Sequence, residues 1–87
     1  MDRHENTQAV LNRLSRAAGH VSAVKRMVEE GRDCSDVLIQ IAAVRSELTN
    51  VGKIILKDHI AHCIAEAVRE NDKAAIEKLN GAIESLL

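Results

Sequence analysis

Apolar side chains recur along this chain at intervals of three and four residues. The first run is Val10, Leu11, Leu14, Ala17, Ala18, Val21, Val24, Met27 and Val28, which forms one stripe when wound as a helix. It predicts a first helix that starts near Asn6 or Thr7, both good capping residues. Gly31 stands where the residue just beyond a helix C-terminus is commonly glycine. Asp33 then caps a second helix, with Asp36 three residues later in a capping-box-like arrangement. Its stripe passes through Val37, Leu38, Ile41, Val44 or Arg45, Leu48, Val51, Ile55, Ile60, Ile64 and Val68, with no convincing stop before Glu70-Asn71-Asp72. A helix of about 35 residues follows, far longer than the usual three turns. Asn71-Asp72 forms the next turn and cap. A third helix runs from about Lys73 to the end on Ala75, Ile76, Leu79, Ala82, Ile83 and Leu86.

The expected fold is an all-α protomer of three helices with a long second helix, residues 1–87 forming one domain. So long a helix in so small a chain can bury its apolar face only against other chains, so the pattern implies an oligomer. Composition agrees. There is no Phe, Tyr, Trp or Pro among the 87 residues, and Ala, Leu, Ile and Val suit close helix-on-helix packing. Gly19, inside helix one, marks a candidate close crossing. A chain of this size buries a modest fraction of its surface and draws stability from metals, disulfides or partners.

Net charge is only −1, but it is segregated. No acid lies between Asn6 and Val28, where Arg13, Arg16, Lys25 and Arg26 are found. A basic face fits a polyanionic partner, and an ordinary solvated face accounts for four charges as well. The missing aromatics argue against binding single strands by base stacking. The first five residues do not read as a signal peptide, and no apolar run approaches membrane-spanning length. A cytoplasmic, reducing setting is expected, with no membrane partner. No Gly-rich phosphate loop, nucleophile elbow or catalytic carboxylate pair is present, so neither enzyme activity nor a small-molecule substrate is expected.

Two cysteines in a reducing setting read as ligands or redox-active thiols before a structural disulfide. Two inert buried thiols are the plain alternative. His59 and Cys63 are four residues apart and share a helix face. Cys34 is the only other thiol, placed on the first turn of helix two, where the helix dipole favours a thiolate. Along one helix, Cys34 and His59 are separated by roughly 38 Å at 1.5 Å per residue. The three groups meet at one ion only if an antiparallel partner brings its own Cys34, which makes the site intersubunit. Two thiolates and one imidazole are a soft, low-coordinate set that suits Cu(I). Zn(II) wants a fourth ligand, and tetragonal Ni(II) also needs one, a histidine or backbone nitrogen of the N-terminal tail, for which His4 is available. His62 lies about 60° from the Cys63 face at 100° per residue and reads as a surface residue. His20 shares a polar ridge with Arg13 and Arg16 and reads as a surface or phosphate-contact residue.

Three segments carry a resemblance to a known family. Arg13-Leu14-Ser15-Arg16-Ala17-Ala18-Gly19-His20 resembles the R-x-x-R-x-x-G-Q segment of the copper-sensitive operon repressors (CsoR/RcnR-like regulators). The stretch from Cys34 to Arg45 looks like that family's C-x-x-V-L-x-Q-I-x-A-V segment, and Asp58-His59-Ile60-Ala61-His62-Cys63 looks like its D/E-H-x-x-H-C. The resemblance spans about residues 8–70. It implies antiparallel helical dimers that assemble into a homotetramer and bind double-stranded operator DNA when free of effector. Cys34, His59 and Cys63 match the Cu(I)-sensing ligand set, with one Cu(I) per protomer. DNA contacts would fall to Arg13, Arg16, His20, Lys25, Arg26 and Lys53, and Glu77 is the candidate to orient His59. Three departures stand out: His20 replaces the usual Gln, Asn50 replaces a helix-two arginine, and Asp33 replaces a Tyr before the first Cys. A Ni(II)/Co(II)-responsive or persulfide-responsive repressor of the same fold, or a non-regulatory metal-binding helical module, is the alternative.

Overall fold

Gly31 and Asn71 set where the chain turns. The structure, a computed structural model, describes residues 6–59 and 65–87, and of His59 only the backbone. Helix α1 spans Thr7–Glu29, α2 Cys34–His59, α3 Ala65–Arg69 and α4 Lys73–Leu86. The described residues are all-helical, as the periodicity predicts. The expected continuous run from Cys34 to about Glu70 appears as α2 and α3, and Ile60–Ile64 between them lie outside the described residues.

Gly31 adopts φ +71°. Its N–H donates to the Val28 carbonyl at 3.1 Å and that of Arg32 to Met27 at 2.9 Å, the paired bonds of a Schellman motif. The same motif ends α3. Asn71 takes φ 57°, with its N–H on Val68 at 3.1 Å and that of Asp72 on Ala67 at 2.8 Å. Asn replaces Gly there because its short polar side chain tolerates left-handed backbone. Asp72 then caps α4, its carboxylate accepting the Ala75 N–H at 3.1 Å.

The other predicted caps behave differently. Asn6 occupies the α1 N-cap position, but its side chain makes no cap hydrogen bond. Asp33 accepts the Val37 N–H through its backbone carbonyl, while its carboxylate and that of Asp36 make no hydrogen bond among the described residues. The expected capping box is therefore not formed. Both carboxylates are exposed, where water satisfies them at little cost.

The short turn from Glu30 to Asp33 makes α1 and α2 an antiparallel hairpin. Val10, Ala17 and Val24 of α1 bury themselves against it, with Val51 of α2 and Ala67 of α3 the other buried apolar residues. Little else is covered. Leu11, Val21 and Val28 of the α1 stripe and Leu38, Ile41 and Leu48 of α2 remain exposed. The radius of gyration is 16.9 Å, against about 12 Å for a compact chain of this length, and the molecule measures 55 × 25 × 14 Å. Exposed apolar surface on this scale is the kind that marks an interaction site.

Glycine marks a close approach, but at a different residue from the one predicted. A Cβ at Gly19 would meet nothing within 4 Å. At Gly52 it would stand 2.7 Å from Leu86 Cδ1, because α4 folds back onto α2 there. Leu86 lines two apolar hollows: one of about 460 Å³ includes Val21, Ile41 and Leu48, and one of about 280 Å³ includes Ile55, Leu56 and Leu79. No helix among the described residues is long and apolar enough to cross a membrane.

Candidate metal centre and basic face

Cys34 is the first residue of α2 and His59 the last. The 26-residue helix between its ends is regular, so the two residues are about 38 Å apart along its axis. Cys34 is a free, exposed thiol. Among the described residues, no cluster of three or more His, Cys, Asp or Glu side chains is placed to hold a metal. Cys63, His62 and His4 lie outside the described residues. Glu77 is exposed on α4, and its expected pairing with His59 involves a side chain outside them.

Asp58, one residue before His59, is the buried charged group of the described structure, with 8% of its surface exposed. Its Oδ1 accepts a hydrogen bond from Asn6 Nδ2 at 3.1 Å. Its Oδ2 is buried and has no hydrogen-bond partner among the described residues. The first turn of α1 contains no acidic residue of its own. Asp58 therefore brings negative charge from α2 to the positive end of the α1 dipole. No sequence pattern singled out this pair, whose members lie 52 residues apart. An Asn at an N-cap and an Asp in a helix each have ordinary local readings.

Arg13, Arg16, Lys25, Arg26 and Lys53 are all exposed. Arg13 and Arg16, three residues apart on α1, line a polar cleft of about 180 Å³ with Glu47 and Asn50 of α2. Lys25 stands 4.0 Å from Glu29 one turn on, a weak exposed pair. His20 is placed otherwise than a phosphate-contact residue would be. Its Nδ1 meets Glu47 Oε1 at 2.9 Å and its Nε2 meets Gln40 Oε1 at 2.7 Å. Both ring nitrogens are thus committed to α2. The Gln40 and Glu47 hydrogen bonds, with the charge of Glu47, raise the His20 pKa above its ordinary value against a smaller opposing effect of burial. Two oxygen acceptors call for two N–H donors, which only the imidazolium has. The second Glu47 oxygen, Oε2, is buried without a partner among the described residues.

The described chain is an elongated helical hairpin with an open apolar face and a basic ridge on α1, with Cys34 and His59 at opposite ends of α2. The chain belongs to the metal-sensitive transcriptional repressor family, whose model matches residues 6–85. It is 42% identical over 71 residues to the copper-sensing transcriptional repressor CsoR of Bacillus subtilis (strain 168), covering 80% of this chain and 70% of that protein. The crystal structure of the copper-sensing repressor CsoR with Cu(I) from Geobacillus thermodenitrificans NG80-2 superposes with a TM-score of 0.87 at 34% identity, over 98% of this chain and 91% of that one. The nickel-responsive transcriptional regulator InrS superposes at 0.78 with 42% identity, over 100% and 99%. Transcriptional repressors act on DNA and are not enzymes, as the absence of catalytic motifs led us to expect.

Proposed function

We propose that this protein is a Cu(I)-responsive transcriptional repressor of the cytoplasm, which binds operator DNA when metal-free and releases it when Cu(I) occupies Cys34 of one protomer and His59 with Cys63 of its partner. The observation that carries the reading is the separation of Cys34 from His59 by the full length of α2. A bound Cu(I) supplies a soft centre that accepts two thiolates and one imidazole without a fourth ligand. His59 contributes its neutral imidazole, and its free ring nitrogen is left to bond within the protein, with Glu77 the candidate acceptor. Arg13, Arg16, Lys25, Arg26 and Lys53 hold duplex DNA chiefly through phosphates. His20 keeps both ring nitrogens on α2, beside the cleft. Because coupling between two ligands is reciprocal, DNA-bound protein must hold Cu(I) more weakly than free protein.

The assembly is a homotetramer built from antiparallel dimers, which covers the exposed apolar stripes. A Ni(II)-responsive reading rests on one observation, the 42% identity with InrS over the whole chain. It requires a fourth ligand beyond the three residues named, with His4 available.

Mixing chains tests the split site. Cys34→Ala protein and a His59→Ala/Cys63→Ala double variant should each fail to take Cu(I) from a strong chelator. Refolded together in equal amounts, they should regain about a quarter of wild-type capacity, one intact site in each mixed two-fold pair. No recovery would overturn the intersubunit site. Preference for Ni(II) over Cu(I) in wild-type protein would move the reading to nickel.

A further inference from the structure

The start of α1 is tied to the end of α2 by one polar contact, Asn6 Nδ2 to Asp58 Oδ1 at 3.1 Å. Three features set this contact apart from an incidental bond. Asn6 sits at the N-cap, where its side chain could accept a bond from its own helix, yet makes no such cap. Asp58 is 8% exposed, in a protomer whose other charged side chains are half-buried or exposed among the described residues. And Asp58 Oδ2 is buried with no partner among those residues, so the closed contact holds an acceptor away from water without replacing its hydrogen bonds. Opening the contact would let that oxygen hydrate, which lowers the cost of breaking it, so the tie is poised between closed and open.

Its position gives the poise a use. Asp58 is followed directly by His59, the last residue of α2, while Asn6 begins the helix that carries Arg13 and Arg16. A metal ligand at His59 fixes how the end of α2 is oriented, and Asp58 is the residue directly before it. We propose that Asp58 is the positioning residue that relays ligand occupancy to α1: its carboxylate holds the start of α1 through Asn6 in the metal-free protein, and ligation at His59 draws it off. The inference rests on the proposed site at His59, and it names the contact through which that site reaches the basic helix of the same chain. Rotation of α1 against α2 then spoils the spacing of the arginine ridge with respect to phosphates.

The test uses the full-length protein and three readouts: Cu(I) affinity without DNA by chelator competition, DNA affinity with and without Cu(I), and amide exchange in the first turns of α1. In wild-type protein, Cu(I) should weaken DNA binding and speed exchange near Val10, whose N–H bonds to the Asn6 carbonyl. Asn6→Ala should leave DNA-free Cu(I) affinity within about twofold, while the Cu(I)-induced loss of DNA affinity falls by about tenfold, a coupling change of order 1.4 kcal/mol. Asn6→Asp, which sets two carboxylates together and breaks the tie, should likewise reduce the Cu(I)-induced loss of DNA affinity. A purely structural role would weaken both DNA-bound states alike and leave their ratio unchanged, and that result would overturn the relay. If wild-type protein itself shows no Cu(I)-dependent release, the copper reading fails. If it does and Asn6→Ala matches it in both ratio and exchange, the relay alone fails.

Discussion

His20 and Glu47 lock α1 to α2, with Nδ1 and Oε1 2.9 Å apart across 27 residues of sequence. The tie is proton-dependent. The folded protein raises the His20 pKa above the ordinary 6.5, so the protonated form is the one that folding favours. Its stabilisation is complete below 6.5 and is lost as pH rises through the higher folded value. His20→Gln, which restores the amide common at this position in the resembled family, should remove it. The melting temperature of wild-type apo-protein should exceed that of His20→Gln most at pH 5.5, and the gap should close towards pH 8. Comparing the two proteins cancels the titration of His4, His59 and His62. A gap that is constant with pH would show that the imidazolium contributes nothing.

Gly52 and Leu86 should be energetically coupled. Gly52→Ala gains about 1 kcal/mol in helix propensity, but its Cβ meets Leu86 Cδ1 at 2.7 Å and must push the tip of that side chain aside. The gain should be largely cancelled in wild-type background and recovered in Leu86→Ala. A double-mutant cycle from denaturant melts measures the difference.

The helix ends give a sharper pair. Gly31→Ala forces a Cβ into left-handed backbone at φ +71° and should cost about 1–2 kcal/mol. Asp72→Ala removes the bond to the Ala75 N–H and should cost about 1 kcal/mol. Asp33→Ala, whose carboxylate caps nothing, should change stability by less than about 0.5 kcal/mol. Equal losses at Asp33 and Asp72 would contradict the difference between the two caps.

The arginine ridge makes a prediction about salt. Removing one cation from a phosphate lowers the slope of log affinity against log salt by about 0.9. Arg13→Ala and Arg16→Ala should therefore flatten the slope and weaken specific and non-specific duplexes alike. Lys25→Ala should do less, because Glu29 already stands 4.0 Å from it. A change confined to one DNA sequence would assign the arginines to base edges instead.

What could be read from residue types alone was what local chemistry decides. Gly31, Asn71 and Asp72 turn and cap where their backbone and side-chain preferences require it. The distance between Cys34 and His59 was equally legible, because helix rise is the same in any context. Gly19 and Gly52 show where such reasoning stops. Both are glycines in helix interiors, and only the return of α4 decides which of them meets a neighbour. Asn6 does stand at a helix start, but its side chain answers to Asp58, 52 residues away. His20 does lie on the ridge with Arg13 and Arg16, yet its nitrogens turn to Gln40 and Glu47 on the facing helix. In each case, a long-range partner overrode the local preference.

In the proposed intersubunit site, the placement of Cys34 and His59 at the two ends of α2 would also tie sensing to protein abundance. A solitary chain would carry halves of two different sites and own neither. By mass action, dimer formation and metal capture would become a single equilibrium, so each would promote the other. A newly made chain would not sequester the ion before it had paired. The threshold of response would then be set jointly by metal and by the protein's own concentration, and dilution alone should make the protein shed Cu(I).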